Sequence, residues 1–398
     1  MPEGLGAAGP FALKHGRRIA YNLYMLNFPK TPLLASLLTA ALLGAAAASD
    51  MENAAIFPGL PYPVEINLPA RGEPGARLYE TGFSAPTTWD YDTLLLQGEM
   101  PDPAVRIDVE VKSRVFFMPD ASYRQTAFRR FPNGRFWAKY KLDLASRQPV
   151  NLVVVNLGLK AATKLILYGS ELQKAAAMRE DAEPRQDVPY VPAASLYLPP
   201  DAPFTVVRRA QWQAAPPREP YTQHAPRYFT LHHTQAHYPG TYEEAVAEIQ
   251  FIQDFHQTGR GWNDIGYHFL IDPLGNIFEG RPLNVVGAHT KGHNTSNVGI
   301  SMMGSFHPPA SHLLTAAAVN SFAPVGTYLK DTYTVNKSSF YAHRDLQKTD
   351  CPGDDLYPKM ETLRGLIFDP RPLPAITGDP LVAPAQAASL RSLIDSLK

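Results

Sequence analysis

The chain has a single cysteine, Cys351, among its 398 residues. One cysteine excludes an internal disulfide framework, so the thiol is inert, intermolecular or a metal ligand. An excess of charge of either sign is also lacking, because 37 Lys and Arg residues balance 37 Asp and Glu residues. This balance gives no electrostatic reason for the protein to bind nucleic acid, and we expect no nucleic-acid partner.

Long apolar runs are scarce as well. One apolar segment, 33–44, follows Lys30 and precedes the small residues of segment 45–49. A basic residue, a short apolar segment and a run of small residues are together typical of a secretory signal peptide. The segment is shorter than the roughly 20 residues that span a bilayer, so an uncleaved anchor is the less favoured alternative. Residues 1–50 are therefore predicted to be an N-terminal extension with a signal peptide, and the mature protein to be periplasmic or extracellular without a stable membrane span.

Helical periodicity is nearly absent from the region 75–175. Apolar residues alternate with charged ones over 107–111 and over 136–144, which is the pattern of half-buried strands. Two further short strands are predicted at 151–157 and 163–168. Several short strands at this spacing favour an all-β, sandwich-like domain.

Four aromatic residues of this region allow two interpretations. Their rings form a platform that binds sugar rings, or they fill the interior of the predicted sandwich. Because aromatic side chains bury large areas and dominate protein cores, the second interpretation is favoured. The four residues are Trp89, Tyr91, Trp137 and Tyr140.

Proline is abundant, at 38 residues, and much of it lies in segments that connect or follow domains. Residues 176–204 are predicted to be an extended, semi-stiff linker, and residues 369–398 a tail rich in proline and alanine. A chain of this length is expected to form two folded domains. The second domain is therefore predicted at 205–368.

Strands and helices are mixed in this second domain. Strands with flanking helices predict an α/β domain with a central mixed β-sheet. The predicted strands are 228–234, 267–271, 276–279 and 297–303, and the predicted helices are 241–257, 313–331 and 356–368.

Histidines and the cysteine of the second domain predict a metal site. A predicted buried strand ends in His232 and His233, and His343 lies shortly before Cys351. Neighbouring residues of a strand point to opposite faces, so only one residue of the histidine pair can be a ligand. Two imidazoles and one thiolate are three ligands, the number that leaves a catalytic zinc ion one open position.

From about Val206 to Arg364, the chain resembles the peptidoglycan recognition proteins, a family with the type-2 N-acetylmuramoyl-L-alanine amidase fold. The resemblance is specific because seven segments occur in the family's order. These segments are 209–212 (RAQW), 231–234 (LHHT), 264–269 (DIGYHF), 278–281 (FEGR), 286–294 (VGAHTKGHN), 297–301 (NVGIS) and 343–345 (HRD) with 351–353 (CPG).

The resemblance implies that zinc is bound by His232, His343 and Cys351. It also implies catalytic roles for Tyr267 and Thr349, whose hydroxyl groups would stabilise the oxyanion that develops on the scissile carbonyl. The neighbours of Tyr267 are apolar, so a tyrosine that only fills the core is the alternative for that residue.

The resemblance further implies a substrate cleft that contains His289, Gly292, His293 and Asn294. Gly292 is typical of members that bind diaminopimelate-type stem peptides, whereas His293 departs from the family pattern. The expected function is a secreted zinc amidase that hydrolyses the bond between N-acetylmuramic acid and L-alanine, with peptidoglycan or muropeptides as its partner. The alternative is a recognition protein that binds peptidoglycan without cutting it. Members of that kind generally lack the cysteine ligand, and Cys351 therefore favours the enzyme.

Overall fold

The computed structural model describes residues 53–70, 72–113, 121–175 and 196–370 of the chain. The predicted signal peptide lies outside these residues, as do most of the predicted linker and nearly all of the predicted tail. Within the described ranges, no helix is both long enough and apolar enough to cross a membrane.

The described part of residues 64–173 forms two antiparallel sheets. The strands are β1 (Val64–Leu68), β2 (Arg77–Phe83), β3 (Tyr91–Glu99), β4 (Val105–Val111), β5 (Ala121–Ser122), β6 (Arg124–Arg130), β7 (Arg135–Ser146), β8 (Val150–Asn156) and β9 (Thr163–Gln173). The first sheet has the order β1-β9-β3-β7-β6 and the second has the order β2-β8-β4-β5. Neighbouring strands are antiparallel in both sheets.

The two sheets share one hydrophobic core. In β4, Ile107 and Val109 are buried, whereas Asp108 between them is half-buried on the other face. The hydroxyl of Tyr140 in β7 donates to the carbonyl oxygen of Ile107 at 2.7 Å and so joins one sheet to the other. The period-2 pattern therefore predicts the inward face of these strands correctly.

Three of the four aromatic residues lie in the interior. Tyr91, Trp137 and Tyr140 are buried, and Trp89 is half-buried with its Nε1 donating to the carbonyl oxygen of Leu172 at 2.9 Å. The interpretation as side chains of the sandwich core is confirmed for Tyr91 and Tyr140, with Trp89 packed against that core, whereas Trp137 is buried in a separate cluster with residues of the second region. A sugar-binding platform formed by their rings is excluded, because buried rings present no face to a ligand.

Strand β1 lies before the predicted start of the β-rich region at residue 75. Val64, Ile66 and Leu68 are buried, and β1 pairs with β9 along its whole length. Its apolar residues alternate with polar ones, but the segment 51–74 is rich in proline, and that composition predicts an extended lead-in. That prediction is wrong for this segment.

A five-stranded mixed sheet lies in the second half of the described chain. Its strands are β10 (Tyr228–His233), β11 (Phe269–Ile271), β12 (Ile277–Glu279), β13 (Asn297–Met302) and β14 (Phe340–Ala342). The order is β12-β11-β13-β10-β14, in which β12 is antiparallel to β11 and the other pairs are parallel. The predicted central mixed sheet is confirmed, and the predicted strands 267–271 and 276–279 correspond to the antiparallel pair β11 and β12.

Four α-helices accompany this sheet among the described residues: α1 (Tyr242–Asp254), α2 (Ala316–Tyr333), α3 (His343–Leu346) and α4 (Met360–Phe368). Helix α1 begins where the Thr241 hydroxyl oxygen accepts from the backbone N–H of Glu244 at 3.1 Å, which is an N-cap contact. It ends before the predicted residue 257, because the chain continues as a π-helical turn over Phe255–Arg260. Gly261, with φ of 83°, ends this turn.

The sheet packs on α2 and α4 through a core that includes part of the predicted linker. Leu198 is buried in this core, and the ring of Phe204 packs edge to face on Phe269 with 6.3 Å between ring centroids. The described residues at the end of the predicted linker are therefore packed against the second region and do not form an extended connection.

A buried interface joins the β-rich region to helix α1. Arg135 of β7 forms a salt bridge with Glu248 of α1 at 2.7 Å, and the two side chains are 1% and 0% exposed. The guanidinium carbon of Arg135 also lies 3.8 Å from the ring centroid of Phe251. Trp137 donates from Nε1 to the carboxylate of Asp254 at 2.7 Å. The two regions therefore share a core cluster and are packed against each other.

Replacing Arg135 with Met is expected to lower the free energy of unfolding by about 3–5 kcal/mol, because Glu248 is left buried without its counter-charge. Urea unfolding monitored by circular dichroism measures this loss. The double variant Arg135→Met/Glu248→Leu removes both charges and is expected to recover most of it. A single variant as stable as the wild type would contradict the assignment of this pair as a buried ion pair.

Candidate metal centre

Two adjacent parallel strands bring His232 and His343 together. Strands β10 and β14 are neighbours in the sheet, and Leu231 lies opposite Ala342 in their register. The residue that follows each of them is a histidine at the same edge of the sheet, His232 within β10 and His343 at the start of α3. Their ring centroids are 4.5 Å apart, with His232 buried and His343 half-buried.

The loop after α3 returns Cys351 to this edge of the sheet. The backbone N–H of Arg344 donates to the carbonyl oxygen of Cys351 at 3.0 Å, and the Arg344 guanidinium donates to the carbonyl oxygen of Asp350. The Cys351 side chain is buried, and its Sγ accepts from the backbone N–H of His233 at 3.4 Å. These hydrogen bonds place the sulfur beside the two histidines.

The donor atoms of His232, His343 and Cys351 lie within 4.8 Å of one another. Cys351 Sγ is 3.6 Å from His232 Nδ1. Zn–S and Zn–N bonds of about 2.3 and 2.1 Å at a tetrahedral angle separate the two ligand atoms by about 3.6 Å. The donor set and this spacing therefore fit zinc, and three protein ligands leave one tetrahedral position open.

Burial keeps His232 and His289 neutral. Removal from solvent lowers the pKa of His232 well below its ordinary value, and the neighbouring His343 lowers it further. Burial likewise lowers the pKa of His289 to about 3. A neutral imidazole is the form that binds a metal, so His232 does not need to lose a proton at neutral pH before binding one, whereas the Cys351 thiol gives up its proton when a metal binds.

Tyr267 lies beside the centre. Its ring is half-buried, and its centroid is 5.3 Å from that of His232. Backbone segments approach it closely on two sides: a Cβ on Gly266 would lie 2.3 Å from the Ala288 carbonyl oxygen, and a Cβ on Gly280 would lie 2.3 Å from the Tyr267 carbonyl oxygen. Glycine is therefore required at both positions, and the two segments fix the tyrosine backbone.

Thr349 precedes the cysteine by two residues. It is half-buried, and its hydroxyl oxygen accepts from the backbone N–H of Cys351 at 3.2 Å. This hydrogen bond holds the Thr349 hydroxyl group next to the backbone of Cys351. The structure brings both predicted catalytic residues to the predicted ligands.

The four predicted substrate residues divide into two kinds. Gly292 and His293 are exposed at the tip of the segment that joins β12 to β13. Asn294 is buried, and its Oδ1 accepts from the backbone N–H groups of His289 and Thr290 at 2.8 and 2.9 Å. Asn294 therefore closes the segment on itself.

His289 is buried and turns toward the ligands. Its Nδ1 lies 3.0 Å from Nε2 of His232, and its Nε2 lies 3.2 Å from the carbonyl oxygen of Asn297. Both ring nitrogens are thus engaged within the protein, which places this side chain behind a predicted ligand.

Sequence reasoning missed Gln347. Its Oε1 lies 2.7 Å from Nε2 of His343, and its Nε2 donates to the carbonyl oxygen of Lys291 at 3.0 Å. Gln347 follows His343 by four residues, and residues at that spacing share one face of a helix. That spacing is a signal for the contact between the two side chains, whereas the sequence carries no signal for the contact of Gln347 with Lys291.

The metal-free protein is expected to lose stability as the pH falls below about 6.5. Burial lowers the pKa of His268 well below its ordinary value of 6.5, to which unfolding returns it. The unfolded chain therefore binds a proton that the folded protein lacks. The neutral buried histidine therefore contributes to the free energy of unfolding in full above pH 6.5. Below pH 6.5, down to the pKa of the folded state, each such histidine lowers the free energy of unfolding by about 1.4 kcal/mol per pH unit.

Urea unfolding between about pH 5 and pH 7.5 measures this slope. His268→Gln removes one titrating group and is expected to reduce the slope by about one proton. An unchanged slope in the variant would contradict the assignment of His268 as a neutral buried histidine.

Residues 222–354 match the model of a family described as N-acetylmuramoyl-L-alanine amidase. Peptidoglycan-recognition protein SC2 of Drosophila melanogaster is 34% identical over 139 residues, which are 34% of this chain and 72% of that protein. This chain belongs to the family of peptidoglycan recognition proteins and type-2 amidases. The human N-acetylmuramoyl-L-alanine amidase is 34% identical over 178 residues, which are 42% of this chain and 30% of the human protein.

All of the predicted site residues of this amidase-family chain lie inside the matched range. The β-rich region, residues 64–173, lies outside it. Among solved structures, wild-type PGRP-LB of Drosophila is 28% identical, with 40% of this chain and 93% of that chain covered and a TM-score of 0.37.

Proposed function

We propose that this protein is a zinc-dependent N-acetylmuramoyl-L-alanine amidase. It hydrolyses the amide bond between the lactyl group of N-acetylmuramic acid and the L-alanine of the stem peptide. The observation that carries the proposal is the buried group of His232, His343 and Cys351 inside the residues matched by the amidase family model. The role of peptidoglycan as the substrate follows from the family.

Zinc bound at this centre would supply Lewis acidity toward the amide carbonyl and toward water. His232, His343 and Cys351 would hold it. The buried positions of His232 and Cys351 strengthen every electrostatic interaction at the centre, because the local dielectric is low.

Tyr267 and Thr349 act on the reacting carbonyl. We assign to the Tyr267 hydroxyl the hydrogen bond that stabilises the oxyanion as the carbonyl carbon becomes tetrahedral. Thr349, which is held beside Cys351, donates a second hydrogen bond to the same oxygen. Both side chains are half-buried.

The exposed residues Gly292 and His293 are assigned to the stem peptide, since they lie at the tip of the segment that Asn294 closes. We further propose that residues 205–368 form the amidase domain, that the β-rich region is an accessory domain docked on it, and that the protein is exported.

A recognition protein that binds peptidoglycan without cutting it is the second candidate, because the relatives include proteins named for recognition. The two candidates differ in the fate of the substrate. A binding protein leaves the amide bond intact, whereas the amidase releases stem peptides that begin with L-alanine.

Mass spectrometry of soluble muropeptides after incubation with the protein distinguishes these candidates. The amidase produces stem peptides with a new amino terminus at L-alanine, and a chelator added beforehand abolishes them. Zinc added in excess of the chelator restores them. Intact muropeptides that remain bound to the protein would refute the amidase and support the recognition protein.

A further inference from the structure

Each histidine of the metal centre forms a hydrogen bond on the side of its ring opposite to the ligand atom. His232 has its Nδ1 3.6 Å from Cys351 Sγ and its Nε2 3.0 Å from His289 Nδ1. His343 has its Nε2 2.7 Å from Gln347 Oε1. Nε2 of both rings is thus engaged within the protein, which assigns Nδ1 of each ring to the metal.

The hydrogen on His232 follows from the partners of His289. A carbonyl oxygen only accepts, so the contact of His289 Nε2 with the Asn297 carbonyl at 3.2 Å requires a hydrogen on that nitrogen. A neutral imidazole carries one hydrogen, so Nδ1 of His289 is an acceptor. The hydrogen between the two rings therefore belongs to Nε2 of His232. The hydroxyl of Thr290, which is 3.0 Å from His289 Nδ1, also donates to this acceptor.

The amide of Gln347 is oriented in the same manner. Its Nε2 donates to the carbonyl oxygen of Lys291 at 3.0 Å, which requires the NH₂ group on that side. Oε1 therefore faces His343 and accepts from its Nε2. The hydrogen-bond network thus leaves Nδ1 of His343 without a hydrogen.

Two glycines, Gly287 and Gly299, allow the backbone to approach the His289 ring closely. A Cβ on Gly287 would lie 2.5 Å from its Cδ2, and a Cβ on Gly299 would lie 2.6 Å from its Cγ. His268 next to it shows the same tautomer, since its Nε2 lies 2.7 Å from the Val285 carbonyl and its Nδ1 accepts from the Gly299 N–H at 2.9 Å. At His268, the donor to Nδ1 is a backbone N–H. At His289, the donor to Nδ1 is the Nε2–H of His232.

We propose that His289 and Gln347 are positioning residues that fix the tautomers of His232 and His343, so that Nδ1 of each ligand faces the metal. His232 donates to His289, which donates to the carbonyl oxygen of Asn297. His343 donates to Gln347, which donates to the carbonyl oxygen of Lys291. This inference rests on the proposed zinc site. It gives His289 a role behind the ligand, where the family resemblance implies contact with substrate.

Zinc affinity of the full-length protein, measured by competition with a chromophoric chelator, tests the proposal. His289→Phe keeps the ring shape and removes the acceptor, and Gln347→Leu removes the amide. Each is expected to weaken zinc binding by about 10–100-fold, which is the usual effect of losing a partner of a metal ligand. The visible spectrum of the cobalt-substituted protein is expected to change in both variants, because a ligand with the wrong tautomer alters the coordination geometry.

Conservative variants separate positioning from packing. His289→Asn presents an amide oxygen where Nδ1 lies, and Gln347→Glu keeps an acceptor for His343. Both are expected to bind zinc within a few-fold of the wild type. If His289→Phe does not fold, the zinc affinities of Gln347→Leu and Gln347→Glu are compared to test the positioning role.

His224→Phe is the matched control. His224 is buried and has the same tautomer, with its Nδ1 accepting from the Ser296 N–H at 2.8 Å and its Nε2 near the Leu283 carbonyl at 3.2 Å. Neither of these hydrogen bonds involves His232 or His343. This variant is expected to unfold at a lower temperature with unchanged zinc affinity.

The outcomes distinguish this inference from the proposed function. Wild-type protein that binds no zinc would refute the zinc site itself. Wild-type protein that binds zinc, together with His289→Phe and Gln347→Leu variants of equal affinity and unchanged cobalt spectra, would overturn only the positioning roles.

Discussion

Cys351→Ser is expected to abolish detectable amide hydrolysis and to weaken zinc binding by at least about 100-fold. Removing a hydrogen-bond partner of a metal ligand already costs about 10–100-fold in affinity, and removing the ligand costs more. A serine hydroxyl stays protonated at neutral pH and is a poor substitute for a thiolate. Zinc content after dialysis and release of stem peptides measure the two losses.

Cys351→Asp provides the matched control. A carboxylate oxygen also binds zinc, so this variant is expected to retain more zinc than the serine variant. Both variants replace a buried side chain that accepts one backbone N–H, so a comparison of their thermal unfolding separates loss of the ligand from loss of packing. A serine variant with full zinc content and full activity would contradict the assignment of Cys351 as a ligand.

Tyr267→Phe is expected to lower kcat by about 10²–10³-fold while zinc binding stays at the wild-type level. This factor is the usual effect of removing one donor to an oxyanion. The ring itself is retained, so its packing beside His232 at 5.3 Å is preserved. Because the lost hydrogen bond forms in the transition state, KM is expected to change little.

Tyr333→Phe is the control for this substitution. Tyr333 lies in α2 and donates to Asn284 Oδ1 at 3.0 Å, so the variant also removes one hydrogen-bonded hydroxyl. Its kcat is expected to match that of the wild type. Equal rates for the Tyr267 variant and the wild type would show that Tyr267 only fills space.

The grouping of His232, His343 and Cys351 was predictable from the sequence because each of them lies in a short segment with a clear pattern. His232 ends a buried strand, and the alternation of side chains separates it from His233. His343 and Cys351 occur in segments that resemble the family closely. Their meeting point follows from the parallel pairing of β10 with β14.

The surroundings of the ligands were not predictable in the same way. The role of His289 depends on the approach of Gly287 and Gly299, which lie in different segments and leave room for the ring. The role of Gln347 depends on the position of the Lys291 carbonyl across the site. Contacts between distant segments leave no periodic signal in the sequence.

The interface with the β-rich region was missed for a different reason. In β7, Phe136 and Tyr140 face the sandwich core, and the pattern assigns the alternate residues to solvent. Arg135 and Trp137 are buried all the same, because helix α1 covers that face. A charged residue in a strand whose polar and apolar residues alternate is predicted to be exposed. Its burial becomes predictable only when its buried partner, here Glu248, is known.

Titration of the metal-free protein with zinc, with the release of stem peptides followed at each step, tests the central claim most directly. The wild-type protein is expected to gain activity in proportion to added zinc and to reach its maximum at one zinc ion per chain, whereas Cys351→Ser stays inactive throughout. Full activity of the metal-free protein, or activity in Cys351→Ser equal to the wild type, would contradict the zinc centre of His232, His343 and Cys351.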